Sequence, residues 1–146
     1  MVHIAQTMEV LARRPIFEVS FSDYVGTING LFNFLEVCGG IAVFLMVDRA
    51  ESSSQRCLKG SSFTFWFNGF MMLVSSILSA TSSYYLPVLF YYVIFHGTAG
   101  VLYIFTSISL VRESHEVELC AMAGLMTGGM HAFHCSYVTY KLYYEK

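Results

Sequence analysis

Three ionisable residues interrupt long apolar stretches of this sequence, and their side chains are the best suited to chemistry: Glu36, His96 and His131. A carboxylate beside imidazoles can order a helix bundle through hydrogen bonds, pass protons or ions, or ligate a metal or haem iron. A charged side chain inside a membrane costs several kcal/mol, so each of these residues requires a partner. We therefore expect the three side chains to meet.

Three interpretations of this set compete. In the first, the side chains form a hydrogen-bonded polar cluster that orders the surrounding helices. In the second, they belong to a proton or ion path. In the third, His96, His131 and His134 hold haem or a metal ion. The sequence favours the structural interpretation, because the histidines show no recognisable metal-ligand spacing. We accordingly expect no cofactor and no bound metal.

The spacing around Glu36 is helical. Four polar or small residues recur at intervals of four, three and four, which places them on one helix face. They are Asn29, Asn33, Glu36 and Gly40. With a rise of about 1.5 Å per residue, the glutamate and both histidines lie roughly 14 Å from the same boundary of the apolar region. The predicted intramembrane cluster consists of Asn29, Asn33, Glu36, His96 and His131.

The last apolar stretch carries a similar pattern of small and polar residues. Gly124 and Gly128 form a small-xxx-small motif, which favours close helix packing within the chain over homodimerisation, although a homo-oligomer remains an alternative. His134, three residues after His131, is expected to face partly elsewhere as a packing residue. The glycines predicted to pack helices together are Gly39, Gly40, Gly97, Gly100, Gly124 and Gly128.

The elements that must position these side chains are membrane-spanning helices. Hydrophobic residues make up 55% and charged residues 12% of the 146 positions, whereas a soluble domain averages about 25% charged residues. A net charge of -2 offers no basic surface for nucleic acid, which excludes that class of partner. Since a span needs about 20 apolar residues, the gaps between charges predict helices near 26–47, 62–82, 87–111 and 118–140.

This pattern predicts an all-α fold, a four-helix transmembrane bundle with short loops. An even number of spans puts both termini on the same side of the membrane. Lysine and arginine residues divide equally between the two sides, so charge alone does not orient the bundle. The predicted segments are an N-terminal tail (1–23), a four-span membrane domain (24–140) and a C-terminal tail (141–146).

Two of the four cysteines, Cys57 and Cys120, lie near the same predicted membrane boundary, just before the second and fourth helices. They can form a disulfide if that side is oxidising. The sequence holds no Cys-x-x-Cys pair, no Ser/His/Asp order and no glycine-rich phosphate loop. We therefore expect no enzymatic activity.

Residues 30–44, with the sequence GLFNFLEVCGGIAVF, combine aromatic side chains, the acid Glu36 and two adjacent glycines. This string resembles the opening helix of MARVEL-domain proteins, and the four-span layout extends the resemblance over residues 24–140. The compact MAL, chemokine-like factor and Singles bar groups are the most similar. By this resemblance, Glu36 corresponds to the helix-one acid of the family.

The resemblance implies a non-enzymatic membrane scaffold with both termini cytoplasmic. Such a protein organises lipids, often in cholesterol-rich membrane, and other membrane proteins during membrane apposition, vesicle trafficking or fusion. Its expected location is the plasma membrane or trafficking vesicles. The alternative is a small transporter, channel or haem-binding redox protein that uses Glu36, His96 and His131.

Overall fold

The computed structural model describes residues 21–47, 49–114 and 118–144. Within these ranges the chain is all-helical, with turns and short loops between the helices and no strand. The helices are α1 (Phe21–Val25), α2 (Ile28–Met46), α3 (Ser53–Leu78), α4 (Ala80–Tyr85), α5 (Phe90–Ser114) and α6 (Leu119–Tyr144), with a 3₁₀ turn at Leu86–Val88.

Among the described residues, the three helices α2, α3 and α5 are long and apolar enough to cross a membrane. The last helix, α6, spans 26 residues but is not one of these three, and its buried residues include the polar His131, His134 and Thr127. The structure therefore agrees with the sequence prediction in two respects: the fold is all-helical, and it contains helices that are long and apolar enough to span a membrane.

Helix starts follow local capping rules. Thr27 caps α2, since its Oγ1 accepts a hydrogen bond from the Gly30 amide at 3.0 Å. Ser52 and Gln55 form a reciprocal capping box at the start of α3, with both hydrogen bonds 3.1 Å long. The sequence prediction placed this start at 62, which is wrong, because the Ser-x-x-Gln signal at 52–55 outweighs the charged residues that follow it.

Other boundaries also differ from the prediction. The second long helix ends at Leu78, and Ser79 caps the short α4 through a 3.3 Å hydrogen bond from the Ser82 amide. The next long helix begins at Phe90, after the 3₁₀ turn that contains Pro87. The last helix continues to Tyr144, so residues 141–144 of the predicted C-terminal tail are helical. Residues 1–20 of the predicted N-terminal tail lie outside the described residues.

The four long helices contact one another in a cyclic order. The most extensive contact joins α5 to α6, and α2 packs on both α3 and α6, while α3 also packs on α5. Large side chains fill the space between them, among them the fully buried Leu58, Tyr92 and Tyr103. Each long helix thus presents one face to its neighbours and leaves large apolar side chains exposed on the other.

Glycines permit close approach between α5 and α6. A Cβ atom at Gly128 would lie 2.8 Å from Ile104 Cγ1 and 2.9 Å from Tyr103 Cβ. A Cβ atom at Gly100 would lie 3.2 Å from the Gly128 carbonyl oxygen. Gly124 likewise faces the Ser107 side chain. Both glycines of the small-xxx-small motif therefore face α5 of the same chain.

The remaining predicted packing glycines differ in importance. A Cβ atom at Gly39 would lie 2.6 Å from Thr127 Oγ1 of α6, and one at Gly40 would lie 2.7 Å from Trp66 Cβ of α3. A Cβ atom at Gly97 would make only an ordinary contact, 3.5 Å from Cys135 Sγ. The adjacent pair in α2 thus contacts two different helices, whereas Gly97 leaves room for a methyl group.

The Cys57–Cys120 disulfide is not formed in this structure. All four cysteines lie within the described residues and are free thiols. Cys57 is exposed, because the neighbouring Leu58 is the residue that α3 turns inward, toward Gly124. Cys120 is buried, and its thiol donates a hydrogen bond to Glu118 Oε2 at 3.2 Å.

Adjacent glycines in α6 offer a matched test of this packing. Gly128→Ala should lower the free energy of unfolding by about 1–3 kcal/mol, because the new methyl group overlaps Ile104 and Tyr103. Gly129 is exposed and its Cβ position is open, so Gly129→Ala should be neutral or stabilising by up to about 1 kcal/mol. Thermal unfolding of the purified full chain in detergent measures both. Equal effects at the two positions would contradict the assigned α5–α6 contact.

Candidate functional site

The carboxylate of Glu36 lies in the middle of α2 and is surrounded by three histidines. His96 comes from α5, and His131 and His134 come from α6. We call these four side chains the Glu36 cluster. Glu36 is 3% exposed and each histidine is exposed by 2% or less. The cluster is therefore enclosed by protein, and its four members come from three helices, α2, α5 and α6.

The Nδ1 atoms of the three histidines converge on the carboxylate. Nδ1 of His134 lies 3.1 Å from Glu36 Oε1 and 3.2 Å from Oε2. Nδ1 of His96 lies 3.3 Å from Oε2, and Nδ1 of His131 lies 3.4 Å from Oε1. Both carboxylate oxygens thus have imidazole partners, as a buried carboxylate requires.

The histidines also contact one another. Nδ1 of His96 lies 3.0 Å from Nδ1 of His131. A single proton can bridge these two nitrogens only if one imidazole donates and the other accepts, so the two rings then have different tautomers. A porphyrin does not fit between nitrogens this close together, so the spacing does not favour haem bound between this pair.

Aromatic rings enclose the Glu36 cluster. The Tyr92 hydroxyl lies 3.3 Å from Nε2 of His134, which gives that imidazole a partner on the side away from the carboxylate. The Tyr103 ring is stacked on His131, with ring centroids 5.8 Å apart. Phe95 packs edge-on against His96 with centroids 5.1 Å apart. These rings separate the polar atoms from the surface of the bundle.

Of the five residues in the predicted cluster, the structure brings together Glu36, His96 and His131. Asn33 is buried on the same face of α2, but its amide nitrogen donates to the Tyr24 hydroxyl at 2.7 Å. Asn29 is half-buried, and its Oδ1 has no hydrogen-bond partner among the described residues. Asn33 therefore connects α2 to α1, and neither asparagine is placed among the residues that contact the Glu36 carboxylate.

The prediction that His134 faces partly elsewhere as a packing residue is wrong, since its Nδ1 lies closer to the carboxylate than those of the other two histidines do. Residues three apart on a helix lie about 60° apart around its axis, so His131 and His134 share a face. That spacing was the available signal. Tyr92 was also missed, although it precedes His96 by one helical turn in α5.

Chemically, the cluster can act as a hydrogen-bonded structural unit or hold a metal ion. One ligand atom each from Glu36, His96 and His134 lies within 4.8 Å of the others. Nε2 of His96 and Nε2 of His131 are buried and have no hydrogen-bond partner among the described residues. The Nδ1 atoms and the carboxylate oxygens thus meet at the centre of the cluster, and these two Nε2 atoms remain without partners in the part of the chain that the structure describes.

Comparison with protein-family models, with curated proteins and with solved structures finds no match to this chain.

Substitution of Glu36 tests whether the cluster stabilises the fold. Glu36→Leu should lower the free energy of unfolding by about 1–2 kcal/mol, because three imidazoles lose their shared partner. Glu36→Gln should cost less, because the carboxamide offers an acceptor and a donor in nearly the same shape. Unfolding of the full chain in detergent with a chelator present measures both variants. A leucine variant as stable as the parent would contradict a structural role for the carboxylate.

Proposed function

We propose that this chain is a non-enzymatic, four-span membrane scaffold. It organises lipids and neighbouring membrane proteins in membrane apposition, vesicle trafficking or fusion. Its proposed location is the plasma membrane or trafficking vesicles, in cholesterol-rich membrane, with both termini cytoplasmic. The observation that carries this proposal is the division between an outward apolar surface and an enclosed polar interior.

Large apolar side chains cover the outward faces of the helices. Phe90, Val101, Phe105 and Met126 are each more than 60% exposed. An apolar groove of about 430 Å³ also opens between α5 and α6, with Val101 and Phe105 among its lining residues. Such surfaces are stable against lipid chains or apolar partner helices and unfavourable in water. They favour lateral interactions within the membrane as the activity of this protein.

The enclosed Glu36 cluster favours a structural role over transport. An ion path needs polar groups that continue from the cluster to both membrane surfaces. The rings of Tyr92, Phe95 and Tyr103 pack around the cluster, and we take this enclosure as support for a structural role. The second candidate function, ion or proton transport, draws its support from one feature, the contact of an intramembrane carboxylate with three imidazoles.

The proposed fourth span is α6. It packs on α2 and α5, both of which have the length and hydropathy of spans. At about 1.5 Å per residue, its 26 residues exceed the thickness of the hydrocarbon core. Four spans leave both ends of the chain on one side. The MARVEL-like string at residues 30–44 lies within α2. Its resemblance to that family supports a cytoplasmic location for both termini.

Epitope tags test the proposed topology. In intact cells, tags at either terminus should be protected from added protease, and a tag inserted between Arg49 and Ser52 should be cleaved. Detergent permeabilisation should expose all three tags, which controls for epitope accessibility. Surface labelling of a terminal tag in intact cells would overturn the proposed orientation. Terminal tags on opposite sides would overturn the four-span count.

Lateral distribution tests the scaffold function. In giant vesicles derived from plasma membrane, the tagged full chain should be enriched in the ordered, cholesterol-rich phase and should co-isolate with a reproducible set of membrane proteins. A single-span membrane protein with the same tag provides the baseline. Equal distribution between phases, with no proteins above that baseline, would contradict the proposal.

A flux measurement separates this proposal from transport. Vesicles that contain the purified chain and a pH-sensitive dye should show the same proton uptake as protein-free vesicles. The Glu36→Gln variant should behave identically. Proton uptake that the parent chain supports and Glu36→Gln abolishes would establish the transport alternative instead.

A further inference from the structure

We propose that the Glu36 cluster is a binding site for a divalent transition-metal ion, best matched by Zn²⁺. Glu36, His96 and His134 are its ligands, and His131, whose Nδ1 lies 3.0 Å from that of His96, is the proposed fourth. This inference does not depend on the scaffold function, because it concerns only the interior of the bundle. It also departs from the expectation of the sequence, which shows no recognisable ligand spacing among the histidines.

The distances between the carboxylate oxygens and the Nδ1 atoms are close to the edge length of a zinc coordination tetrahedron. Zinc binds imidazole nitrogen and carboxylate oxygen at about 2.0–2.2 Å, so tetrahedral ligand atoms lie about 3.3 Å from one another. The contacts between Glu36 oxygens and histidine Nδ1 atoms range from 3.1 to 3.4 Å. A charge-assisted N–H···O hydrogen bond is shorter, at about 2.7–2.9 Å. The His96 and His131 contacts are therefore closer to the edges of a coordination tetrahedron, whereas the 3.1 Å contact of His134 also fits an ordinary hydrogen bond.

Proton counting supports the same conclusion. Five contacts join the three Nδ1 atoms to the carboxylate or to each other. Each Nδ1 atom carries at most one proton, so at most three protons serve all five contacts. A single cation at the centre satisfies every Nδ1 lone pair and one carboxylate oxygen at once. Coordination of one metal ion thus explains why the three Nδ1 atoms and the carboxylate meet, and it does not require three protons to serve five contacts.

The ligand set and its surroundings also fit zinc. Neutral imidazole and carboxylate are common zinc ligands, and four protein ligands with no open position are typical of a structural site. Metal-bound histidines commonly have a hydrogen-bond partner at the other ring nitrogen. The Tyr92 hydroxyl occupies that position for His134, 3.3 Å from its Nε2, whereas Nε2 of His96 and Nε2 of His131 have no such partner among the described residues. The ion would therefore connect α2, α5 and α6 and stabilise their packing.

Because the ligands are buried, the metal has to be supplied while the chain folds. The full chain is expressed with Zn²⁺ in the medium, purified in detergent without chelator, and analysed for bound metal. We expect about one zinc ion per chain in the parent protein. We expect the bound zinc to fall by about tenfold or more in Glu36→Gln and His134→Ala. Expression with Co²⁺ instead should give the visible absorption of a four-coordinate site.

Two variants serve as controls. Glu113→Gln removes an exposed carboxylate that accepts a hydrogen bond from Ser54, and should retain the zinc of the parent. His115→Ala removes a histidine outside the described residues and should retain it as well. If His134→Ala does not fold, the nearly isosteric Glu36→Gln variant still carries the comparison, with gel filtration as the criterion for a folded sample.

Thermal unfolding gives a second readout. A metal that binds only the folded chain raises its unfolding temperature. The parent expressed with Zn²⁺ should therefore unfold at a higher temperature than the parent expressed in metal-depleted medium, and Glu36→Gln should show no such difference. A parent protein without bound zinc or cobalt would overturn the proposal. Equal zinc in the parent and both cluster variants would also overturn it, because the metal would then bind elsewhere.

Discussion

A carboxylate held away from water constrains the arrangement of the long helices. Glu36 is 3% exposed, and its imidazole partners come from α5 and α6 rather than from its own helix. Leaving the carboxylate without partners would cost several kcal/mol, so the three helices are held at one relative depth. A shift of any one of them by a single turn, about 5.4 Å, would break these contacts.

Close packing of the helices makes the cluster possible. The 3.0 Å contact between His96 and His131 requires α5 and α6 to lie close together, and Gly100 and Gly128 permit that approach. The remaining long helix, α3, contributes no member of the cluster. It is connected to the cluster through Tyr103, whose ring stacks on His131 and whose hydroxyl donates to the Ser62 carbonyl at 3.5 Å.

Two features of this arrangement can be predicted from the sequence: the apolar helices, from composition, and the meeting of polar side chains that lie at the same depth in the apolar region. The need for a membrane acid to find partners, together with equal depth, predicts that Glu36, His96 and His131 meet. The side chain of His134 differs from the prediction because a three-residue spacing keeps it on the same helix face as His131. The helix α3 starts earlier than predicted because the capping box of Ser52 and Gln55 stabilises its first turn despite the charged residues nearby. The pairing of Asn33 with Tyr24 depends on how α1 folds back on α2, which no local pattern in the sequence reveals.

Glu36 and its histidine partners are far apart in sequence, so they are synthesised at different times. Glu36 and His134 are 98 positions apart, and the chain is made from its N-terminus. At about 5–20 residues per second, the acid in α2 is complete about 5–20 s before its last partner exists. During that interval the carboxyl group must be protonated or sheltered by the insertion machinery. Slower translation after α2 would lengthen that interval.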